Sequence, residues 1–321
     1  MYLRSRDACP GCGSYEARER SGAWISPWIR ELANIRERCT EYRVCQECRS
    51  GYFTFGPSPD ELKALYRDYR GPRYLAARSK WEPAYTKDLN AQLEGSEAFF
   101  ASRIAALEKL VISVAPGLPG TARGVVDIGG GRGRLIPQWP CLTERVVLDV
   151  SGVVPVNGVK SIGSWAEVNV NQVDFVMLCG VLEHVPSPKL LLGETVDRLR
   201  VAGSSAYIFI EVPAGIPLAR GKLLSRLPGF QQLNRHQRMW HRIDRLERGP
   251  NPIRRQIPLR MGEHLNFFTM QGMRALAESC GIKIEAIEEI DVVGLKGEVT
   301  VRFSRAMQLV GRLHTSQTSS H

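Results

Sequence analysis

Val125-Val126-Asp127-Ile128-Gly129-Gly130-Gly131-Arg132-Gly133-Arg134-Leu135 is the stretch whose reading decides the fold. A short apolar run ends in an acid and is followed at once by glycines at alternate positions. This pattern predicts a buried parallel strand, a tight turn and the N-terminus of a helix. Glycine serves where the backbone takes positive φ or passes within contact distance of a ligand. A dinucleotide fingerprint places its third glycine three residues after the second, a position held here by Arg134. The spacing Gly129-x-Gly131-x-Gly133, with Asp127 two residues ahead, is a different one.

Downstream, strand and helix patterns alternate, the signature of a parallel sheet with helices on both faces. Strands are expected at Val125–Ile128, Arg145–Val150, Val159–Ile162, Val173–Leu178 and Ala206–Glu211. A helix over Met270–Cys280, capped by Thr269 and ended by Gly281, precedes an antiparallel pair at Lys283–Ile290 and Glu298–Phe303. Upstream, Gln92–Val114 reads as one amphipathic helix with Phe100, Ile104, Leu107, Val111 and Val114 on its core face. Pro188 opens another helix, with Leu190, Leu191, Val196 and Leu199 as its buried side.

Three further stretches join the glycine turn in a fixed order. Asp149 ends the second strand, Cys179-Gly-Val-Leu-Glu-His184-Val-Pro continues the fourth, and Glu263-His264-Leu-Asn-Phe-Phe-Thr269 returns the chain to the core. Together they resemble class I S-adenosylmethionine (SAM) methyltransferases of the broad small-molecule group. The resemblance implies a Rossmann-like α/β sheet of seven strands with an antiparallel last strand. It also implies a cofactor site of Asp127, Gly129, Gly131, Gly133, Asp149, Ser164, Trp165 and Cys179. Asp127 would accept from the methionyl ammonium and Asp149 from the ribose hydroxyls; Trp165 would stack on adenine or simply fill the core. Methyl transfer needs alignment and, for a hydroxyl acceptor, a base. His264 ranks first for that role and His184, which often serves packing in this motif, second; the alternative is that neither is the base.

Cys9-x-x-Cys12 and Cys45-x-x-Cys48 are two knuckles separated by 32 residues. Two pairs of thiolates suit a structural zinc ion better than a redox dithiol, and the long spacing calls for an inserted loop or helix over Pro27–Arg38. Cys39 reads as a buried thiol rather than a fifth ligand. The aromatic strand, proline turn and Tyr66-x-x-Tyr69 helix that follow resemble bacterial sugar and glycan methyltransferases carrying an N-terminal zinc module. The expected division is a zinc-ribbon-like module over 1–56, a helical linker over 57–115, a core over 116–303 and a disordered polar tail over 304–321.

The net charge of +10 is concentrated. Between Ala214 and Gly262 stand eleven Lys/Arg and two acids, a local balance of +9. A solvated loop is the bland reading; the functional one is a lid for an anionic acceptor such as a nucleotide sugar. Contact with a membrane surface or a lipid-linked glycan is a further possibility for such a segment. The other function classes are an RNA methyltransferase gripping its substrate with the module and the lid, and a SAM-binding protein without catalysis. The Asn/Asp-Pro-Pro-aromatic tetrapeptide of base-amine methylation is absent after the fourth strand, which counts against the first. The short C-terminal stretch favours O- or N-methylation over C-methylation. The N-terminus lacks the apolar run of a secretory signal, so a cytoplasmic location is expected.

Overall fold

The computed structural model describes residues 5–95, 97–214, 259–291 and 305–313. The basic segment up to 258 and the expected strand Glu298–Phe303 lie outside the described residues, as does the end of the tail.

Two sheets organise the chain. The N-terminal part runs β1 (Ala17–Ile25), α1 (Pro27–Ala33), β2 (Cys39–Cys45) and β3 (Gly51–Phe53), then three helices, α2 (Pro59–Tyr66), α3 (Pro72–Trp81) and α4 (Lys87–Leu93). The core follows as α5 (Glu97–Val114), α6 (Leu118–Thr121), β4 (Gly124–Ile128), β5 (Glu144–Leu148), β6 (Lys160–Ile162), β7 (Phe175–Cys179), α7 (Pro188–Val201) and β8 (Tyr207–Pro213). After the basic segment come β9 (Leu259–Met261), β10 (Asn266–Phe267), α8 (Met270–Ser279), β11 (Ile282–Asp291) and β12 (Arg305–Leu313).

Among the described residues the core sheet has seven strands in the order β11-β12-β8-β7-β4-β5-β6, and β12 runs antiparallel to both of its neighbours. The expected α/β class and antiparallel last strand are therefore present. Strand order reverses at β4, which pairs in parallel with β5 on one side and β7 on the other. Ligands bind such sheets at the carboxyl ends of the strands flanking this reversal, and Asp127 is there.

Several expectations need correction. The last strand is Arg305–Leu313, so the core extends past 303 and the supposed tail begins inside it. Ala306 to Val310 are all buried because β12 is an interior strand, so the alternation of a half-exposed strand is missing. The helix expected over Gln92–Val114 is two helices, α4 and α5. On α7 the buried face carries Leu192 with Val196 and Leu199, whereas Leu190 is 71% exposed. Cys39 is exposed at the opposite end of β2 from Cys45.

The glycine turn also departs from expectation. No helix follows it: residues 131–136 form turns, and the connections from β4 to β5, β6 and β7 contain only turns and two short 3-10 segments. Side chains take over the covering role of the missing helices. On one face Leu135, Ile136, Trp139 and Leu142 pack with α5 over Val125, Val147 and Phe175. On the other, Trp165 is buried beside α7 and α8 over Val126, Val146 and Ile162.

The second sheet has five strands in the order β10-β3-β2-β1-β9. Its two outer strands come from the return segment, so the N-terminal region is not a self-contained module ending at residue 56. Ala23 pairs with Leu259 in parallel, and Asn266 pairs with Tyr52 antiparallel.

Candidate functional site

The floor of the site is the carboxyl end of β4. Asp127 is 0% exposed, and neither carboxylate oxygen has a hydrogen-bond partner among the described residues. Burial raises its pKa to about 8, against the lowering effect of Arg103 and with further raising by Asp149 and Glu211. A buried polar group without a partner is costly. Glu211 of β8, also buried, is by contrast fully engaged: Arg103 of α5 donates to one oxygen from two nitrogens, and Gln308 of β12 donates to the other at 2.7 Å.

The glycine turn wraps this floor. Gly129 and Gly131 both have positive φ, 67° and 57°. A Cβ at Gly129 would meet Val181 at 2.7 Å, whereas one at Gly131 would meet only Val153 at 3.9 Å, so the turn is tight underneath and open above. Asp149 follows β5 and accepts from Gly131 N–H at 2.9 Å and Ser151 N–H at 2.6 Å. Its carboxylate thereby fixes the turn, and each oxygen keeps a second lone pair. Gly133 also has positive φ but packs close to Val147 and Val159, a place in the core beneath the turn. Cys179, at the end of β7, is a neutral thiol whose pKa burial pushes well up, aided by Asp127 and Glu211.

Ser164 and Trp165 stand apart from this group in role. Ser164 Oγ accepts from Ala166 N–H at 3.2 Å and caps a 3-10 turn, and Trp165 is committed to the core described above. The core-filling alternative accounts for Trp165.

The rim of the site joins the two sheets. Glu183 and His184 sit in the turn after β7, and His264 sits between β9 and β10; the two imidazole rings are 4.7 Å apart, edge to face. Asn266 holds these segments together by donating to the carbonyls of Leu182 and Val185, both at 2.8 Å, while Arg6 donates to Asn266 Oδ1 at 2.6 Å. Leu265 N–H and Asn266 N–H in turn donate to the Glu183 carbonyl. Burial drives His184 well below the ordinary histidine value, with His264 adding to the effect. Burial also lowers His264 to about 4, followed by the Arg78 and Arg70 cations. Both rings are neutral near pH 7. Burial raises Glu183 to about 8, and its Oε2 has no hydrogen-bond partner among the described residues.

Behind the histidines lies a network not anticipated from the residue pattern. Glu263 accepts from Tyr69 at 3.0 Å, from Arg78 at 3.2 Å and, by a short contact, from Tyr74. Tyr66 Oη lies 2.9 Å from His184 Nδ1. Tyr66-x-x-Tyr69 and the Glu263-His264 pair were visible as motifs, but nothing local marks Arg78, Arg103 or Gln308, whose partners in these networks lie 185, 108 and 97 residues away.

The four cysteines converge. Cys9 and Cys48 sulfurs are 3.5 Å apart, as are those of Cys12 and Cys45, and all four lie within 4.8 Å of one another. About 2.3 Å bonds from a tetrahedral ion put sulfurs about 3.8 Å apart, so the set is of the right size for zinc. Gly13 supplies the positive φ of the knuckle, whereas Gly11 is there for close approach: its Cβ would meet the Gly272 carbonyl of α8 at 3.1 Å. Thr269 caps α8 by accepting from Gly272 N–H at 3.0 Å and donates to the Cys48 carbonyl at 2.5 Å.

No protein-family model matches the chain, and no curated protein matches it. Among solved structures it is similar to 1,6-didemethyltoxoflavin-N1-methyltransferase of Burkholderia thailandensis, at TM-score 0.39 and 14% identity over 76% of this chain and 90% of that one. It is also similar to magnesium protoporphyrin IX methyltransferase of Synechocystis, at 0.39 and 12% over 78% and 99%. A SAM-dependent methyltransferase of Archaeoglobus fulgidus gives 0.37 and 16% over 70% and 97%. Likenesses this distant carry no inference about the reaction, which is read from the site itself.

Proposed function

We propose that this chain is a SAM-dependent methyltransferase whose acceptor is a small anionic molecule, a sugar nucleotide or glycan methylated on a hydroxyl or amine. The single observation that carries the reading is Asp127: a fully buried carboxylate at the switch point with both oxygens unpartnered. An ammonium-bearing ligand lying over the glycine turn would satisfy it, and the open space above Gly131 accepts one. Asp149, with a free lone pair on each oxygen, is placed for a vicinal pair of hydroxyls. SAM fits these acceptors and supplies an activated methyl group. Gly131 admits the ligand backbone-close over a turn that Gly129 keeps tight against Val181, while Trp165 supports the pocket from the core.

The rim faces the acceptor. Two neutral imidazoles and Glu183 supply proton-accepting and oxygen-binding groups there, and His264, which joins the return segment to the core, is the side chain assigned to the acceptor hydroxyl. The charge of the segment up to 258 favours a phosphorylated acceptor. The Cys9, Cys12, Cys45 and Cys48 set is assigned to structural zinc, which would fix the N-terminal sheet against α8. Among the described residues no helix is long and apolar enough to cross a membrane, and the assigned location is cytoplasmic.

Calorimetric titration with SAM and with S-adenosylhomocysteine tests the cofactor assignment. Saturable one-to-one binding that is weakened in Asp127→Asn is expected; no binding at millimolar ligand sinks the reading. Mass spectrometry over nucleotide sugars, glycan extracts and RNA then tests the acceptor, and methylation of RNA alone would overturn the sugar assignment.

A further inference from the structure

Glu183, His184 and His264 converge more closely than proton transfer requires. One ligand atom from each lies within 4.8 Å of the other two, and His184 Nε2 is 3.9 Å from Glu183 Oε1. Nitrogen and oxygen ligands at about 2.0–2.2 Å from an ion stand about 3 Å or slightly more from one another, so small side-chain rotations close this set around a cation.

Two independent features point to a ligand there. Glu183 is 2% exposed, and its Oε2 has no hydrogen-bond partner among the described residues, so the burial cost of that atom is uncompensated by protein. The other nitrogen of His184 is already held: Nδ1 lies 3.3 Å from the Glu263 carbonyl and 2.9 Å from Tyr66 Oη. In the tautomer where Nδ1–H donates to that carbonyl, Nε2 is the bare nitrogen and faces Glu183. An outer partner that fixes ring and tautomer in this way is the usual support of a metal-binding histidine. The segments that carry the ligands are also laced together, since Leu265 N–H donates to the Glu183 carbonyl at 2.7 Å.

We propose that Glu183, His184 and His264 form a site for a first-row divalent cation, with two imidazoles and one carboxylate on one side and open positions on the other. Such a donor set suits manganese, iron or zinc. Resting on the methyltransferase reading, the proposal narrows the acceptor to a molecule that offers a chelating pair of oxygens, a vicinal diol or a hydroxy-carbonyl, to the open positions. The site is separate from the four cysteines, whose thiolates disfavour manganese.

Mn(II) is the probe, added to the full-length protein with its cysteine site loaded with zinc and read by electron paramagnetic resonance. One bound Mn(II) per chain is expected. Glu183→Gln and His264→Asn each abolish it or weaken it by more than tenfold, and Tyr66→Phe weakens it about 10–100-fold, the usual range for an outer-shell partner. Circular dichroism melts check that each variant is folded, and Glu194→Gln, at an exposed position on α7, serves as a folded control that keeps its Mn(II). Absence of a bound ion in the wild type at millimolar Mn(II), or equal binding in folded Glu183→Gln and His264→Asn, overturns the proposal. SAM titration in the presence of chelator is scored separately: SAM binding without Mn(II) binding removes the metal site alone, and Mn(II) binding without SAM binding removes the cofactor reading alone.

Discussion

Two carboxylates in neighbouring regions of the molecule are treated in opposite ways. Beside the N-terminal helices, Glu263 accepts from two tyrosines and an arginine, and Arg78 is also paired with Glu82 at 2.8 Å. On the floor of the core sheet, Asp127 is more deeply buried and has no partner among the described residues. A charge-bearing group whose hydrogen bonds are complete within the protein contributes to structure. One that is buried with its bonds unmade costs stability and is retained where a ligand completes it. Under the proposed function, the difference assigns the cofactor to the floor and the scaffold to the surroundings of Glu263.

The comparison breaks most visibly if the wrong carboxylate proves structural. Glu263→Ala is expected to lower unfolding free energy by about 3–5 kcal/mol, the range for breaking a buried pair, measured by urea denaturation with zinc present. Asp127→Asn is expected to leave the apo protein as stable as wild type or more so, while weakening SAM binding about 10–100-fold. That factor follows from the ~1.5–3 kcal/mol contribution of a hydrogen bond to a charged group. An Asp127→Asn protein that melts early and binds SAM normally would reverse the assignment of the two regions.

The pH dependence sharpens the same contrast. Asp127 has a folded pKa of about 8, far above its unfolded value, so the folded state holds its proton where the unfolded state has released it. Its contribution to stability is present at low pH and lost as pH rises through about 8. His264, lowered to about 4, acts in the opposite direction, but only below the ordinary histidine pKa, where the unfolded chain takes up protons. From pH 6.5 to 8 the Asp127 effect therefore stands unopposed by His264. The apo protein should lose stability over this range, with Asp127 contributing a slope of up to about 1.4 kcal/mol per pH unit. Glu183, also raised to about 8, acts in the same direction, so Asp127→Asn should roughly halve the slope in a series of thermal melts; an unchanged slope would show that Asp127 is ionised in the apo protein. The smallest expected effect is at the join between the cysteine set and the core. Thr269→Ala removes the cap of α8 and its bond to Cys48 and should cost about 1–2 kcal/mol, with zinc content unchanged.

Much of the floor was legible because its determinants are local. The β4 strand, its glycine turn, Asp149, the Thr269 cap and the two Cys-x-x-Cys pairs each declare themselves within a dozen residues. Trp165 was ambiguous, since an aromatic after a strand serves a ligand or a core equally well. The structure places it where a crossover helix would otherwise lie. Arg305–Leu313 was missed as the last strand because it is interior and buried on both faces, Gln308 included, so it lacks the alternation of a half-exposed strand. The Glu263 network was hidden for a different reason. Tyr69, Tyr74 and Arg78 meet Glu263 from nearly two hundred residues away, and no window along the chain contains both halves. Leu190 in place of Leu192 was an error of helical phase, settled by what α7 packs against.

The pairing of β1 with β9 has a consequence for how this protein is made. As the chain leaves the ribosome, residues 17–45 are available early, yet both outer strands of their sheet lie beyond residue 258. The sheet that carries the second cysteine pair stays unfinished until most of the core has been synthesised, and its exposed edges must wait unpaired in the meantime. Under the proposed zinc assignment, early capture of the ion by the cysteines would hold that half-built sheet in register. The metal would then act during synthesis as a clasp, closed long before the strands it serves arrive.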